Sequence, residues 1–422
     1  MFTQEQDFLD MSSGKDAPTS PPLDTLAKTL ADGTISRKQA LMLMGAGATV
    51  ASFAMAGCGG GKKDQARGST SGSREPSAGG STSNTTVGQK GSTPKQGPGG
   101  EQGQIEVYGS APLVGTPLNM TVDEDQRFWW TDVTTKGLGS IEPLSADPES
   151  TMRRIDLPNG SLPMQPRVGP GGTIWYTDAG RNGFGRIEAG ARNPAATLEF
   201  FTTDGMPPLL GLAPLGPDRR FWFGSEPAGI VGCFDPARDD PAQSVKIFES
   251  SALSGVTGLY PGPDDHIWIA NVGADSIARI DPLAPDPGAT IEVFPRPPGG
   301  IHPRAWRVGP DRKMWFSQRD QDALLRLDPL GPDWTQTIET VCGPDAVNEP
   351  DGLCPGPDGH LWFCNAGNNS IGRLDPRAPE PASTLVFYTA SDVRTPFDLQ
   401  NVGDYMVFTN LESGIGRILA RV

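Results

Sequence analysis

The chain has 422 residues and a formal net charge of −15, and it is rich in glycine (54 residues) and proline (42 residues). Because phosphate binding needs a basic surface, this charge argues against DNA or RNA as a partner. The length suits two or three average domains or one long repeat array, and frequent Gly and Pro with regularly recurring aromatic residues favour the array.

Residues 1–57 have the features of an export signal. A basic pair, Arg37-Lys38, precedes an apolar run over 40–56 that ends in Met55-Ala56-Gly57-Cys58. About 17 residues is marginal for spanning a bilayer, and small residues before the cysteine are typical of a cleavage site. The last four residues resemble the lipobox of bacterial lipoproteins, which implies that Cys58 is lipidated and that the rest faces the periplasm or cell exterior. An uncleaved N-terminal anchor is the alternative.

The stretch 59–104 consists of Gly, Ser, Thr, Pro, Gln and Lys with almost no large apolar residue. Such a composition cannot bury enough surface to offset the loss of backbone entropy on folding. We therefore predict a flexible tether, which leaves 105–422 as the folded domain.

Six tryptophans recur at a nearly constant spacing beyond the tether. They are Trp129, Trp175, Trp222, Trp268, Trp315 and Trp362, and with Val407-Phe408 in the seventh place the spacing is 45 to 47 residues. A period of about 40 to 50 residues with several short strands is the signature of a β-propeller. We predict an all-β fold, a seven-bladed β-propeller over 105–422.

Each repeat contains the parts of a four-stranded blade. A proline opens strand a in most repeats, a Gly-Pro-Asp-type turn leads to the aromatic strand b, strand c reads Ile-Gly-Arg-Leu, and strand d alternates in polarity. Proline presets φ in such turns, so the recurring turn needs no functional explanation. A d-type strand, Ile105–Tyr108, precedes the first strand a. We predict that it completes the last blade and closes the ring.

The five cysteines are Cys58, Cys233, Cys342, Cys354 and Cys364, and they form no CxxC zinc pattern. In a hairpin that turns at 355–360, Cys354 would face Leu361 and Cys364 would face Asp351. The two sulfurs would then be about three residues out of register, roughly 10 Å, beyond disulfide reach. We predict buried free thiols.

Propeller geometry predicts which residues meet at one mouth of the central channel. The d–a and b–c loops open on the same end, so residues just after the strand-a proline and residues at the end of strand b should face one opening. The second set is polar throughout: Asp132, Asp178, Ser225, Asn271, Gln318, Asn365 and Asn410. Candidate binding residues are therefore Asp132, Asp178, Asn271, Arg304, Gln318, Asn365 and Asn410. A merely solvated channel mouth is the alternative.

The repeat phrase is most complete at 350–373, where it reads Pro-x-Gly-x-x-x-Gly-Pro-Asp-Gly-x-Leu-Trp-Phe-x-x-x-x-x-Asn-x-Ile-Gly-Arg. It resembles the virginiamycin B lyase (streptogramin lyase) family over about 105–422. The resemblance implies a seven-bladed propeller. It also implies an enzyme that opens the ester linkage of cyclic depsipeptide antibiotics by elimination, with magnesium and a histidine base.

The resemblance also says where catalytic residues would lie. Active members carry a histidine after the strand-a proline in two neighbouring blades, a glutamate before the second of those prolines, and a glutamate at the end of that blade's strand b. The corresponding residues here are Arg304, Asp351, Glu349 and Asn365, so only Glu349 matches. Arginine stays protonated and asparagine carries no charge for a cation.

Three catalytic candidates remain, because elimination needs a base near a carbonyl and a group that stabilises the enolate. Glu349 matches the family. Asp351 could act as a weak base, although we expect Arg304 to lower its pKa. His302 precedes Pro303 near the same mouth and could replace the lost base. His266 and His360 lie in a–b turns at the opposite end, where we predict surface residues.

The sequence leaves three functions open. We favour an exported, monomeric, lipid-anchored propeller that binds a small molecule, glycan or peptide at its channel mouth. The first alternative is an enzyme, a lyase or a lactonase, since the Asp and Asn oxygens at the mouth suit Mg²⁺ or Ca²⁺ and lactonase-like propellers hold calcium with such ligands. The second is a protein-interaction scaffold.

Overall fold

The computed structural model describes residues 95–96, 103–109, 112–294, 302–412 and 414–420. The predicted signal peptide (1–57), Cys58 and most of the predicted tether (59–104) lie outside these residues. In the described part, seven antiparallel four-stranded blades surround one axis. Strand a of each blade contacts strand a of the next, and that of blade 7 contacts that of blade 1. This confirms the seven-bladed all-β propeller.

The four strands of each blade run outward from the axis in the order a, b, c, d. From blade 1 to blade 7, strand a spans Pro117–Val122, Pro163–Gly169, Gly211–Leu212, Val256–Pro261, Trp306–Val308, Pro350–Pro355 and Pro396–Val402. Strand b spans Phe128–Asp132, Thr173–Asp178, Phe221–Ser225, Ile267–Asn271, Met314–Gln318, Leu361–Asn365 and Tyr405–Asn410.

The outer strands complete the blades in the same order. Strand c spans Gly137–Ile141, Gly183–Glu188, Ile230–Phe234, Ser276–Ile280, Ala323–Leu327, Ser370–Leu374 and Gly414–Leu419. Strand d spans Arg153–Asp156, Glu199–Phe201, Lys246–Phe248, Glu292–Val293, Glu339–Cys342, Val386–Tyr388 and, in blade 7, Ile105–Tyr108. Short 3₁₀ turns connect strands at Glu149–Thr151, Pro170–Gly172, Pro194–Thr197, Pro241–Ser244, Val272–Ala274, Pro287–Thr290, Arg319–Gln321, Trp334–Gln336, Ala366–Asn368 and Pro381–Thr384. Within the described residues, none of the helices has the length and apolar character to cross a membrane.

The ring closes as the sequence predicts. Ile105–Tyr108 pairs antiparallel with strand c of blade 7, with Ile105 opposite Ile418. The first strand of the propeller therefore completes the last blade and covers its edge. Lys95–Gln96, inside the stretch predicted as a tether, pairs in parallel with strand d of blade 6.

A hydrogen-bond network explains why Asp, Trp and Arg recur together in blades 4 to 6. In blade 6 the carboxylate of Asp358, from the a–b turn, accepts from Trp362 Nε1 at 3.0 Å and from Arg373 Nε at 2.6 Å. In blade 4, Asp264 accepts from Trp268 Nε1 at 2.9 Å. The turn carboxylate thus fixes the buried indole of its own blade. These hydrogen bonds explain why the phrase recurs, and no functional site is needed to explain it.

Cys354 and Cys364 are offset in their hairpin, but by a register that differs from the prediction. Cys354 lies opposite Trp362 rather than Leu361, because the pairing shifts between Pro350 and Leu353. Such a bulge adds one unpaired residue to strand a. Both thiols are free and buried, and so are those of the two other described cysteines, at positions 233 and 342.

Candidate functional site

A cavity of about 120 Å³ lies on the propeller axis and is lined by residues from all seven blades. Leu118, Met164, Thr257, Arg304, Asp351 and Phe397, the residues expected just after the strand-a proline in their blades, line it. In blade 3 the lining residue is Leu210, whereas the preceding leucine is fully buried. Blades 7, 1, 2 and 3 contribute apolar side chains here, and blades 4 to 6 contribute the polar ones. At this level the cavity therefore has an apolar side and a polar side.

The polar residues at the end of strand b lie elsewhere, inside the blades. Asp132 is 1% exposed, and its carboxylate accepts from the backbone N–H groups of Gly115 (2.6 Å) and Thr116 (3.1 Å). Asn271 Oδ1 accepts from Ser254 N at 2.6 Å, and its Nδ2 donates to Ala252 O at 2.9 Å. Each side chain thus fixes the d–a loop that leads into its own blade.

The same bond recurs around the ring. Asp178 accepts from Leu162 N at 2.8 Å, Asn365 from Asn348 N at 2.7 Å, and Asn410 from Arg394 N at 2.6 Å. Gln318 is buried, and its Nε2 has no hydrogen-bond partner. Of the seven predicted binding residues only Arg304 lines the axial cavity; the other six, Asp132, Asp178, Asn271, Gln318, Asn365 and Asn410, do not. Loop fixation explains their polarity in five of the six blades concerned.

A buried ion cluster joins blades 5 and 6. Arg319 is 3% exposed, and its Nη1 donates to Asp351 Oδ2 at 2.8 Å while its Nη2 donates to Glu349 Oε2 at 3.0 Å. The sequence does not single out Arg319, and its one signal is a basic residue directly after the polar end of strand b. Two of the three predicted catalytic residues are therefore already bound to a guanidinium.

The pKa of Asp351 is shifted in the direction opposite to the expectation. Burial raises the pKa of its carboxyl, whereas the charges of Arg319 and Arg304 lower it. The effect expected of Arg304 is present, but burial outweighs it, because a charge removed from water loses its hydration. The carboxylate nevertheless has its closest partner in Arg319.

His302 lies apart from that cluster. Its Nε2 contacts the Asp275 carboxylate, and its Nδ1 lies 4.0 Å from Asp320 Oδ2. The side chain is 31% exposed, and His302 does not line the axial cavity. The geometry thus does not bring the third catalytic candidate together with Glu349 and Asp351.

The magnesium that the resemblance implies does not fit the residues present. A guanidinium occupies the space between Glu349 and Asp351, and Asn365 Nδ2 donates to Ser370 Oγ at 3.0 Å while its Oδ1 holds a loop N–H. Among the described residues, no group of three or more His, Cys, Asp or Glu side chains is placed to hold a metal ion. Hard cations need several free oxygen ligands, which these side chains do not offer.

A second charged group lines the cavity further along strand a. Arg307 donates from Nη1 to Trp306 O at 2.7 Å, its Nη2 lies 3.7 Å from Asp398 Oδ1, and its guanidinium lies 5.0 Å from the centre of the Tyr260 ring. Burial lowers the pKa of Arg307, but Tyr260 and Asp398 outweigh that effect and raise it.

Arg167 lines the same part of the cavity, but nearby carboxylates balance its positive charge less well than that of Arg307. It is 8% exposed, its Nη1 donates to Pro166 O at 2.9 Å, and its Nε is buried without a hydrogen-bond partner. Burial, and next the charge of Arg307, lower the pKa of Arg167 to about 10. No pattern in the sequence predicts that Arg167 or Arg307 lines the cavity.

Comparisons with known proteins agree with the repeat phrase. The Virginiamycin B lyase family model matches residues 216–379. A catalytically inactive variant of virginiamycin B lyase from Staphylococcus aureus, solved with quinupristin, is 20% identical, with a TM-score of 0.61 over 75% of this chain and 99% of that chain. A streptogramin B lyase structure is 19% identical, with a TM-score of 0.61 over 74% and 96%.

More distant structures share the architecture. The extracellular domain of a putative hybrid two-component system from B. thetaiotaomicron is 13% identical, with a TM-score of 0.54 over 74% of this chain and 41% of that chain. No curated protein matches the chain. At these identities the likeness shows a common fold. The resemblance inferred from the repeat phrase is confirmed, and the chain is a seven-bladed β-propeller similar to the virginiamycin B lyase family.

Proposed function

We propose that this protein is an exported, lipid-anchored binding protein whose propeller holds a small molecule, or the end of a glycan or peptide, in its axial cavity. The observation that carries the proposal is the cavity itself, which is lined by all seven blades and combines apolar side chains with a few charged ones. Such a mixture of apolar walls and a few placed polar groups is typical of ligand sites.

The size of the cavity supports a small ligand group. Ligand pockets usually measure about 300–1,000 Å³, so a space of about 120 Å³ encloses only part of a larger molecule. A glycan or peptide would therefore insert one terminal group and leave the rest at the mouth.

The catalytic alternative has less support from the geometry. A general base must reach a proton of the substrate with a free lone pair. Glu349 and Asp351 each give an oxygen to Arg319, and Arg304 occupies the first histidine place. Asn365, at the place of the family's second glutamate, fixes a loop.

The lyase alternative is tested by turnover. We expect the purified full-length protein, incubated with a type B streptogramin and Mg²⁺, to leave the ring intact by mass spectrometry. Ring opening that is lost in Glu349→Gln would overturn the binding proposal in favour of an enzyme.

Ligand binding is tested by filling the cavity. Thr257 lines it, and Thr257 Oγ1 has no hydrogen-bond partner, so Thr257→Phe takes up space without breaking a bond. We expect thermal-shift hits from a panel of small acids, sugars and short peptides to disappear in Thr257→Phe. They should persist in Leu330→Phe, a control on the outer surface where the leucine is 53% exposed. Hits that survive Thr257→Phe would place binding outside the cavity.

Export and anchoring rest on the Met55-Ala56-Gly57-Cys58 sequence and the polar stretch that follows it. An extracellular propeller with a similar fold supports the same location. We expect Cys58→Ala to move the protein from the membrane fraction to the soluble extracytoplasmic fraction. Unchanged membrane retention would argue for an uncleaved anchor instead.

A further inference from the structure

The axial cavity carries more positive than negative charge, although the chain as a whole is acidic. Its charged lining residues are Arg167, Arg304, Arg307, Asp351 and Asp398. Asp351 has its closest partner in Arg319, which does not line the cavity. The local excess is therefore positive in a protein with a net charge of −15.

The excess is concentrated where Arg167 and Arg307 lie. Both stand four residues after a strand-a proline, Pro163 and Pro303, and hence at the same depth along the axis. One carboxylate, that of Asp398, is the nearest to them, and it lies 3.7 Å from Arg307. Two guanidinium groups and one carboxylate leave a single positive charge to be balanced.

Arg167 has donor capacity that the fold does not use. None of the described carboxylates lies within ion-pair distance of it, and its Nε has no partner. Its contacts are to uncharged oxygens: Pro166 O at 2.9 Å from Nη1 and, with the amide turned so that its oxygen accepts, Gln165 at 2.6 Å from Nη1 and 3.2 Å from Nη2. A buried charge with unpaired donors is costly unless a partner arrives.

We infer that this end of the cavity is a subsite for the carboxylate group of a ligand, bound by Arg167 and Arg307. The guanidinium fork matches a planar carboxylate, and charge-assisted bonds of this kind are stronger than neutral ones. A monoanion balances the two arginines and Asp398, whereas a dianion such as a phosphate monoester would leave a repulsion with Asp398.

The rest of the ligand is apolar near this subsite. Leu118, Met164, Leu210 and Phe397 line the cavity with apolar side chains from the same blades and their neighbours. The inference rests on the proposed binding function and names its ligand class: small amphipathic carboxylic acids, either free or as the end of a longer chain.

The experiment uses benzoate and its neutral isostere benzamide with the purified full-length protein, followed by calorimetry and thermal shift. We expect benzoate to bind and to raise Tm, with benzamide at least tenfold weaker. Arg167→Met should weaken benzoate binding on the order of 10- to 100-fold, because it removes a charged donor. A peptide with a free C-terminus against its amidated form distinguishes a chain end from a free acid.

Matched variants keep the test open if one substitution disturbs folding. Arg167→Lys keeps the charge but loses the fork and should weaken benzoate binding as well. Arg238→Met, at an outer residue whose side chain is 68% exposed, should bind benzoate like the wild type. Circular dichroism on each variant checks that the fold persists.

Three outcomes would overturn the inference. They are equal binding of benzoate and benzamide, benzoate binding unchanged in Arg167→Met and Arg167→Lys, and no benzoate binding at millimolar concentration. If one of these outcomes occurs while Thr257→Phe still abolishes the binding of other ligands, the carboxylate subsite fails and the proposed binding function stands. If Thr257→Phe abolishes no ligand binding, both the carboxylate subsite and the proposed binding function fail.

Discussion

The two buried arginine sites near the channel differ in how their charge is balanced. Arg319 lies between two carboxylates, both within 3.0 Å of its guanidinium. Arg167 has only uncharged oxygens near its Nη atoms and a buried Nε without a partner. The charge of Arg319 is therefore balanced within the chain, whereas Arg167 keeps hydrogen-bond donors that the fold does not use. The contrast separates a cluster that holds two blades together from one that can receive a ligand.

Position along the blade explains this difference. Arg319 comes from the turn after strand b, so it reaches the neighbouring blade and meets Glu349 and Asp351. Arg167 comes from strand a, which faces the axis, and meets mainly Arg307 and Asp398 across the cavity. Charges between blades must be paired to be buried, whereas charges on the axis can be paired by what binds there.

Arg319→Met should have the largest effect on stability. It leaves the carboxylates of Glu349 and Asp351 without their buried counter-charge, so we expect a loss of about 3–5 kcal/mol in the free energy of unfolding. Urea unfolding followed by tryptophan fluorescence measures it. Adding Glu349→Gln and Asp351→Asn to the same chain should recover most of the loss. A loss below about 1 kcal/mol, the value of an exposed pair, would contradict a buried cluster.

Asp398→Asn should have the second largest effect on stability. The amide keeps an oxygen for Leu399 N, which donates to Asp398 Oδ1 at 3.0 Å, but the charge that offsets Arg307 and Arg167 is gone. We expect a loss of about 3 kcal/mol at low salt, together with tighter benzoate binding because the positive excess grows. Unfolding with and without benzoate measures both. Weaker benzoate binding in this variant would argue against an electrostatic subsite.

Arg167→Met should change the free energy of unfolding by no more than about 1 kcal/mol, in either direction. The substitution removes a buried charge that has no close carboxylate, so little compensation is lost and some desolvation cost is relieved. Urea unfolding beside Arg319→Met gives the direct comparison. A loss of similar size in both variants would mean that the two arginine sites are structurally alike.

The fold was predictable because its signal repeats. A tryptophan every 46 or 47 residues, Val407-Phe408 in the seventh place and a strand-like segment at 105–108 suffice for the blade number and the closure of the ring. The polarity at the end of strand b was visible too. The role of these polar residues was not visible. An Asp whose carboxylate accepts from the N–H groups of its own d–a loop looks the same in the sequence as an Asp that faces a ligand.

The arginines of the site were not predictable for a geometric reason. In several blades the pairing of strands a and b shifts just after the proline, as between Pro163 and Pro166. A one-residue shift moves the following side chains to the opposite face of the strand. Simple alternation therefore cannot tell that Arg167 faces the axis. Arg319 belongs to a turn, for which the repeat gives no direction.

The smallest effect concerns Glu226, which interacts with Arg304, the third arginine of the cavity. The charge of Arg304 is balanced less completely than that of Arg319 but more than that of Arg167. Burial raises the pKa of Glu226 from 4.5 to about 7, and the charge of Arg304 only partly opposes this. The folded protein then holds a proton that the unfolded chain releases, so stability should fall as pH rises from about 4.5 to 7. We expect Glu226→Gln to flatten that part of the profile, measured by urea unfolding at several pH values. An unchanged slope would mean that the charge of Arg304 outweighs the burial of Glu226.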